Sequence, residues 1–264
     1  MTQPPTTPLF GLIAAEAALS AGTREVAGLW ADAALDHRKL EPLRRAAKAR
    51  RVELQRVERD ELDRVAGHPG HGGVVAAVGP RAFLSLEELL AHSGGERGFY
   101  VVLDGVEDPF NFGQALRSLY AAGCHGVVLR PRNWLAPDTP APDGRAPAAA
   151  VVARASAGTS EFLPLAITES IDDAAAFFAD RGHTVAATAD DHPEAIDLRA
   201  ADLTAPLLLI VGGEKRGVKR SLLAKADVVL RVPYARRFDH ALGTVAAVSV
   251  LGFEVARQRD VLSG

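Results

Sequence analysis

The sequence predicts an α/β protein in which a parallel sheet carries helices on both faces and is preceded by a small α/β domain. Two observations lead to this prediction. From Phe99 onward, short and almost wholly apolar segments alternate with helical segments, as strands buried on both faces of a parallel sheet do. Before residue 80, shorter strand-like and helical segments alternate, and a connector bounded by Gly and Pro follows them.

The N-terminal domain is predicted over residues 1–80. Its strands are expected at EVAGLWA, VELQRV and GGVVAAV, and its helices at the segment from Leu12 to Leu19, at Leu43 to Ala49 and at DELDRVA. The connector covers residues 81–97. Ser85 and Glu88 have the spacing of a capping box there, so one short helix is expected.

The larger domain is predicted over residues 98–264. Its strand candidates are FYVVLD, GVVLR, HTVAATA, LLLIVG and DVVLRVP. Helices are expected near residues 112–122, 171–181, 218–226 and 242–259, where apolar residues recur at helical spacing. This alternation of strands and helices is the order expected of a parallel sheet.

Composition and charge are those of an ordinary globular protein. Of the 264 residues, 48% are hydrophobic and 24% are charged, and the formal net charge of -3 does not indicate a general nucleic-acid binder. The single cysteine, Cys124, excludes an internal disulfide and favours a reducing compartment. Because no segment approaches the ~18 apolar residues of a membrane span, we expect a cytoplasmic protein without a membrane partner.

Three segments that follow predicted strands carry candidate functional residues. In the first, DPFNFGQALRSLYAAG, Asn111 occupies the expected helix N-cap, and Arg117 lies one turn beyond Gly113, away from the apolar stripe of the helix. Gly113 leaves space beside the guanidinium that a ligand or a backbone segment can enter. An ordinary capped helix with a solvated arginine explains the same pattern.

The second segment, GGEKRG, follows the predicted strand LLLIV. Gly212, Gly213 and Gly217 at the carboxyl end of a strand let a ligand approach the backbone, at the edge where α/β sheets bind ligands. The segment has neither the Gly-Lys-Ser/Thr of a Walker loop nor the GxGxxG of dinucleotide sites, and Glu214 would repel a phosphate. It suits a small ligand with a hydroxyl, an amine or a positive charge, and a plain turn into a helix is the alternative.

The third segment is VPYARRFDHALGT, which leads from a strand into an Ala-rich helix. Together the three segments resemble the motifs of the SpoU/TrmH-type RNA 2'-O-ribose methyltransferases of the SPOUT superfamily. LDGVEDPFNFGQALRSLYAAG is similar to the first motif, IVGGEKRGV is similar to the second, and the third segment takes the place of the third motif. Because the N-terminal domain resembles the substrate-binding domain of this family, the similarity covers nearly the whole chain.

The resemblance implies a C-terminal trefoil knot, S-adenosylmethionine as the cofactor and methylation of a ribose 2'-hydroxyl in ribosomal or transfer RNA. Cofactor contacts are expected at Gly212, Gly213, Gly217, Val232, Pro233 and Leu242. Arg117 takes the place of the family's catalytic arginine, as the base for the hydroxyl proton or, because a guanidinium stays charged, as a phosphate anchor that stabilises the forming alkoxide. Asn111 would orient Arg117, and Glu214 would fix the loop or Asn111.

One part of the third motif departs from the family. Where the family usually has Ser-Leu-Asn-x-Ser, residues 241–245 of this chain are Ala-Leu-Gly-Thr-Val, so polar side chains expected near the reacting groups are absent. Thr244, His240 or Asp239 would then compensate for them. The rival hypothesis is an RNA- or ribosome-binding protein on the same fold that no longer catalyses.

RNA binding is expected at a basic run of the N-terminal domain, where Glu41 is the only acidic residue. The run consists of Arg38, Lys39, Arg44, Arg45, Lys48, Arg50 and Arg51. A solvated helix face is the alternative. The resemblance also implies a homodimer in which the Ala/Val-rich C-terminal helices pack across a two-fold axis and bring Arg117 of one subunit near the cofactor of the other.

Two further candidates are expected to be structural. His68 and His71 form an H-x-x-H pattern without other clustered ligands, which favours a pair of loop histidines over a metal site. Cys124, just past a predicted helix end, is expected to be buried. No metal is therefore expected.

Overall fold

A computed structural model of the protein describes residues 6–92, 98–135, 146–213 and 215–259. Residues 93–97 of the predicted connector and the predicted site residue Glu214 lie outside the described residues. By its contacts the chain divides into two compact units. The first comprises Met1–Ala82, Asp108–Arg117 and Trp134–Phe162, and the second comprises Phe83–Glu107, Ser118–Asn133 and Leu163–Gly264.

The strands and helices follow one another in a mixed order along the described residues. They are β1 (Thr7–Phe10), α1 (Leu12–Ala21), β2 (Val26–Asp32), α2 (Glu41–Arg50), β3 (Leu54–Val57), α3 (Arg59–Ala66), β4 (Val74–Val78), α4 (Leu86–His92), β5 (Phe99–Leu103), α5 (Pro109–Ala121), β6 (Gly126–Leu129), α6 (Ala148–Ala155), β7 (Leu165–Ile167), α7 (Ile171–Ala179), β8 (Thr184–Thr188), β9 (Ile196–Asp197), β10 (Leu207–Val211), α8 (Arg220–Leu223), β11 (Val228–Arg231) and α9 (Thr244–Gln258).

The first unit is built on a four-stranded sheet with the order β1-β4-β2-β3. β4 pairs antiparallel with β1 and β2, whereas β2 and β3 run parallel. Because successive side chains of a strand point to opposite faces, Leu9 and Phe10 of β1 enter different cores. Leu9 is buried with Leu19 of α1 and Leu43 of α2, and Phe10 is buried with Leu62 of α3.

Helix α6 belongs to this first unit although it lies far along the chain. It packs against β1. Its Ala150 is buried with Phe10, and its Ala153 is buried with Leu9. The cores of the N-terminal sheet are therefore completed by residues that come from the larger of the two predicted domains.

The second unit is built on a seven-stranded sheet with the order β7-β6-β5-β10-β8-β11-β9. Every strand pair in it is parallel, which confirms the predicted parallel α/β sheet flanked by helices. Every residue of β5, β6 and β10 is buried, as expected for strands covered on both faces. Leu89 of α4, Phe178 of α7 and Leu222 of α8 belong to a core cluster with Val102 and Ile210 of the sheet.

The predicted capping box of the connector is confirmed. The Ser85 N–H donates to the Glu88 carboxylate at 2.8 Å, and the Glu88 N–H donates to the Ser85 hydroxyl at 3.1 Å, at the start of α4. The Leu84 N–H donates to the Leu165 carbonyl of β7 at 2.9 Å, and Leu89 is fully buried. Residues 83–92 are therefore packed into the second unit.

Among the described residues, four elements escape prediction from the sequence. β7 and β9 are 3 and 2 residues long, which is too short for a periodic pattern to be visible, and in β1, with the sequence TPLF, polar and apolar residues do not alternate. α6 has the sequence AAAVVARA and is buried at six of its eight positions, so it lacks the polar face that marks an amphipathic helix. Helix α8, predicted near 218–226, has only 4 residues.

Candidate functional site

The carboxyl ends of β8, β10 and β11 meet at one edge of the second unit's sheet, because these strands are parallel neighbours. The loops that follow them enclose a cavity of about 1190 Å³. The lining includes all six residues predicted for the cofactor, namely Gly212, Gly213, Gly217, Val232, Pro233 and Leu242. The fold thus gathers into one cavity the residues of two separate sequence motifs.

The glycine-rich turn after β10 packs backbone against backbone. A Cβ atom on Gly212 would clash with the Gly217 carbonyl group, and one on Gly213 would clash with the Gly105 carbonyl oxygen. Gly217 has a φ of 57°, which favours glycine, and its N–H donates to the Gly213 carbonyl at 2.9 Å. The sequence predicts that a ligand approaches the backbone closely at these glycines. In the structure, other backbone segments of the same chain make this close approach.

The loop after β11 is fastened by a tyrosine. The Tyr234 hydroxyl accepts a hydrogen bond from the Leu242 N–H at 3.2 Å and donates one to the Asp190 carboxylate at 3.0 Å. Burial, helped by the Asp190 carboxylate, raises the pKa of the Tyr234 phenol. Because the Leu242 N–H is engaged within the protein, a backbone contact from Leu242 to a ligand would use its carbonyl oxygen.

The loop after β8 is missed by the sequence prediction. Asp190, Asp191 and His192 line the same cavity. The sequence does contain a signal for these three residues. A strand is predicted at HTVAATA, and the polar residues that follow a parallel strand lie at the ligand-binding edge of the sheet.

The cavity lining carries charges of both signs. Its acidic and basic members are Asp190, Asp191, Asp239, Arg216, Arg220 and Arg231. Such a lining suits a ligand with both positive and negative groups better than a pure polyanion. Ala241 also lines the cavity, where the family usually has serine, and Thr244 contributes a buried polar side chain at the start of α9.

Asn111 and Arg117 lie on α5 and belong to the first unit. The helix begins at Pro109, and the Asp108 carboxylate accepts a hydrogen bond from the Asn111 N–H at 2.8 Å. Asp108 is therefore the N-cap, with proline at the favoured first helical position, and the prediction that Asn111 is the N-cap is wrong. Asn111 lies in the first turn and is half-buried, whereas Arg117 is exposed.

Gly113 allows α5 to pack closely against α6. A Cβ atom at this position would lie 2.7 Å from the Val152 carbonyl oxygen and 2.8 Å from the Ala155 Cβ. Of the two occupants predicted for the space beside Gly113, a ligand or a backbone segment, the structure places the backbone of α6 there.

The family of the protein follows from its two matches to family models. The model of the SpoU rRNA Methylase family matches residues 98–251, more than half of the chain. The chain belongs to the SpoU rRNA methylase family. A model described as RNA 2'-O ribose methyltransferase substrate binding matches residues 8–84 of this SpoU protein.

Relatives of this SpoU protein match it over most of their length. It is 32% identical over 257 residues to the 23S rRNA (guanosine-2'-O-)-methyltransferase RlmB of Pseudomonas putida, covering 96% of this chain and 97% of the relative. It is also 32% identical over 217 residues to the putative TrmH family tRNA/rRNA methyltransferase YacO of Bacillus subtilis, covering 81% of each chain.

Solved methyltransferase structures share the fold. The SpoU methyltransferase AviRb of Streptomyces viridochromogenes aligns with a TM-score of 0.74 at 23% identity, over 97% of this chain and 90% of AviRb. An AdoMet-bound rRNA methyltransferase of Sinorhizobium meliloti aligns with a TM-score of 0.74 at 24% identity, over 96% of this chain and 87% of that protein.

The basic run of the SpoU protein lies within the segment that the substrate-binding model matches. All seven of its basic residues are exposed, on and beside α2. Arg50 differs from the others because its guanidinium donates to the Leu19 carbonyl at 2.8 Å and to the Ser20 carbonyl at 3.4 Å, at the end of α1. Arg50 therefore caps a helix as well as adding charge.

The two histidines of the H-x-x-H pattern make contacts within the first unit. His71 is fully buried, with Nε2 2.7 Å from the Asp63 carboxylate and Nδ1 accepting from the Gly73 N–H, while the His68 ring stacks on Phe10. Within the described ranges, no group of three or more His, Cys, Asp or Glu residues is placed to hold a metal ion. None of the helices described is both long and apolar enough to cross a membrane.

Cys124 is buried, as predicted. Its thiol donates to the Gly126 carbonyl at 3.2 Å. Burial raises the pKa of this thiol to about 12. Because the thiolate is the reactive form of cysteine, Cys124 is an inert part of the second unit's core.

Proposed function

We propose that this SpoU protein transfers the methyl group of S-adenosylmethionine to a ribose 2'-hydroxyl of ribosomal RNA. The observation that carries the proposal is the match of the family model to residues 98–251, the part of the chain that supplies every residue lining the cavity. A guanosine of 23S rRNA is the first candidate for the methylated nucleotide, since this is the substrate for which the RlmB relatives are named.

The cavity suits S-adenosylmethionine in size and charge. Small-molecule sites have volumes of about 300–1,000 Å³, and this cavity of about 1190 Å³ is large enough. The cofactor carries an ammonium, a sulfonium and a carboxylate, which the lining of mixed charge complements. The residues proposed to hold it are Gly212, Gly213, Gly217, Val232, Pro233 and Leu242. When bound, S-adenosylmethionine supplies a methyl group that is already activated for displacement.

The chain's own groups would orient the ribose hydroxyl and manage its proton. Because a guanidinium has a pKa above ~12 and stays charged, we assign Arg117 to anchoring the adjacent phosphate and stabilising the forming alkoxide. Asn111 orients Arg117 in this proposal, and Glu214 is assigned to fixing either the loop after β10 or Asn111. A base role for Arg117 is the competing assignment.

The functional division of the chain is part of the proposal. Residues 1–80 bind the RNA, and residues 81–97 connect this domain to the next. Residues 98–264 form the methyltransferase domain with the trefoil knot that the family resemblance implies. The exposed basic residues beside α2 support RNA binding by the first part. Recognition of RNA by shape and through an unpaired loop nucleotide requires no base-reading motif.

Helix α9 supports a homodimer. Its exposed positions Ala246, Val250, Phe253 and Arg257 recur at helical spacing and form one stripe. Val250 is 43% exposed and Phe253 is 42% exposed, and contiguous exposed apolar side chains are typical of an interface. We propose that two copies pack through this stripe across a two-fold axis, with Arg117 acting at the cofactor site of the partner.

A second candidate is an RNA-binding protein on the same fold that does not transfer methyl groups. The specific observation in its favour is that Ala241 and Gly243 stand where the family usually has serine and asparagine. Catalysis is favoured by the relatives that match nearly the whole chain, because these are named as methyltransferases.

The decisive experiment combines cofactor binding with methyl transfer. Purified protein is titrated with S-adenosylmethionine by calorimetry and then incubated with tritiated S-adenosylmethionine and unmodified 23S rRNA. We expect binding and transfer to one nucleotide, with no label when that nucleotide carries a 2'-deoxyribose. Binding of cofactor and RNA without transfer would establish the second candidate, and binding of neither would exclude both.

A further inference from the structure

Three residues from separate segments meet in one hydrogen-bonded group at the cavity. Asp190 follows the end of β8, Tyr234 follows the end of β11, and Leu242 precedes α9. All three line the cavity. The meeting is a consequence of topology, because β8 and β11 are parallel neighbours and the Ala189 N–H donates to the Leu230 carbonyl at 3.0 Å.

The chemistry of a phenol sets the direction of each hydrogen bond. A tyrosine hydroxyl has one proton to donate and lone pairs with which to accept. At Tyr234 it accepts from the Leu242 N–H and therefore donates its proton to the Asp190 carboxylate. A hydrogen bond to a charged acceptor is stronger than one between neutral groups, and the exposed position of this one reduces that advantage.

The loop between Tyr234 and Leu242 has little other support. Residues 235–241 are all exposed, so few buried side chains hold them. The ring of Phe238 stands edge-on to Tyr234 with centroids 5.5 Å apart, and His240 stands edge-on to Phe238 at 5.8 Å. The Tyr234 hydroxyl thus joins the two ends of an exposed loop of which residues 238–241 line the cavity.

We infer that Tyr234 is a positioning residue for the cofactor: through Leu242 and Asp190, its hydroxyl holds the third-motif backbone in the geometry that S-adenosylmethionine requires. The inference rests on the proposed function. The third motif of this chain lacks the family's usual serine and asparagine. The hydrogen bonds of Tyr234 hold the backbone of this motif in place of those side chains. Preorganising a binding loop raises affinity by lowering the entropy lost on binding.

The test compares Tyr234→Phe with the wild-type protein. The variant keeps the ring and its contact with Phe238 but can neither donate to Asp190 nor accept from the Leu242 N–H. We expect the Kd and KM for S-adenosylmethionine to rise about 5- to 100-fold, as expected for the loss of two hydrogen bonds. We expect kcat at saturating cofactor and the affinity for RNA to stay within about twofold, because these hydrogen bonds act on cofactor binding alone.

Two variants of Asp190 provide matched controls. Asp190→Asn keeps an acceptor for the hydroxyl proton but removes its charge, so its cofactor affinity is expected to lie between that of the wild type and that of Tyr234→Phe. Asp190→Ala removes the acceptor but leaves the hydrogen bond from the Leu242 N–H, so it is expected to raise the Kd less than Tyr234→Phe does. The double variant Tyr234→Phe/Asp190→Ala should be no worse than Tyr234→Phe, because the contact with Asp190 is already lost in that variant.

The outcomes separate this inference from the proposed function. If the wild-type protein does not bind S-adenosylmethionine, the proposed function fails and the inference fails with it. If the wild type binds and Tyr234→Phe binds equally well, only the positioning role is wrong. A Tyr234→Phe variant in which kcat, RNA affinity and thermal stability fall together with cofactor affinity would show general loosening of the fold and would also overturn the inference.

Discussion

The carboxylate of Glu161 accepts hydrogen bonds from the Arg24 guanidinium at 2.7 and 3.0 Å, although 137 positions of the chain separate the two residues. Arg81 donates a further hydrogen bond to the same carboxylate at 2.7 Å. The Glu161 side chain is 0% exposed and each arginine side chain is 5% exposed. Burial lowers the pKa of Arg81, which the Glu161 charge opposes. One buried anion therefore holds two buried cations in the first unit.

Replacing Glu161 with alanine is expected to lower the free energy of unfolding by about 3–5 kcal/mol, the usual cost of leaving buried charges without a partner. Urea unfolding followed by circular dichroism measures it. Glu53→Ala, at an exposed glutamate of the same unit, is the matched control and should change stability by less than about 0.5 kcal/mol. Equal stability of the two variants would show that the buried group contributes nothing.

Arg117→Ala is expected to lower kcat for methyl transfer by at least ~10²-fold, the usual effect of losing a charge-stabilising donor. Cofactor affinity should stay within a few fold, because Arg117 is assigned to the RNA phosphate. Arg117→Lys separates the two assignments. If Arg117 anchors the phosphate, Arg117→Lys is expected to keep partial activity with an unchanged pH profile. If Arg117 is the base, the pH profile of Arg117→Lys is expected to move to lower pH, since lysine has the lower pKa.

The triple variant Arg44→Ala/Arg45→Ala/Lys48→Ala is expected to weaken RNA binding without loss of stability. Each lost phosphate contact should lower the slope of log affinity against log salt by about 0.7–0.9. Filter binding over a range of salt concentrations measures this slope. Arg50→Ala should lower stability as well, because it removes the hydrogen bonds to Leu19 and Ser20. An unchanged slope in the triple variant would place the RNA elsewhere.

Val250→Asp/Phe253→Asp is expected to convert a dimer into monomers, because it puts charge into the apolar stripe of α9. Light scattering at micromolar concentration measures the oligomeric state. Glu87→Gln, at an exposed glutamate of another helix, α4, is the control and should remain dimeric. Wild-type protein that is monomeric under these conditions contradicts the proposed dimer.

Cys124 is expected to resist alkylation by iodoacetamide at pH 8 in the folded protein and to react fully after unfolding. The thiol pKa is raised from 9.0 to about 12 by burial, so the folded state keeps the proton that the unfolded state releases. The free energy of unfolding should therefore fall as the pH rises from 9 towards 12, and Cys124→Ala should lack this part of the pH dependence. Mass spectrometry counts the modified protein. Rapid labelling of the native protein would show that the thiol is accessible.

Much of the second unit is predictable because its signals are local. Strands buried on both faces are continuous apolar runs, so β5, β6, β8, β10 and β11 all follow from the pattern of apolar residues. The capping box at Ser85 and Glu88 is equally local. The rule that ligands bind at the carboxyl edge of parallel strands predicts a site at Gly212, and the resemblance to the SpoU/TrmH-type family adds Val232 to it.

By itself, the sequence determined the parallel sheet, the family and the two motifs that line the cavity. Only the tertiary structure decided what depends on distant pairs: that α6 and Glu161 complete the first unit, that Asp190 belongs to the cavity and that Tyr234 clamps Leu242. It also decided that Asp108 rather than Asn111 caps α5. The physical reason is the separation along the chain over which each interaction acts. Periodicity and capping act between residues a few positions apart, and even there two candidate caps can compete, whereas a buried charge or a clamped loop acquires its partner only when the chain folds.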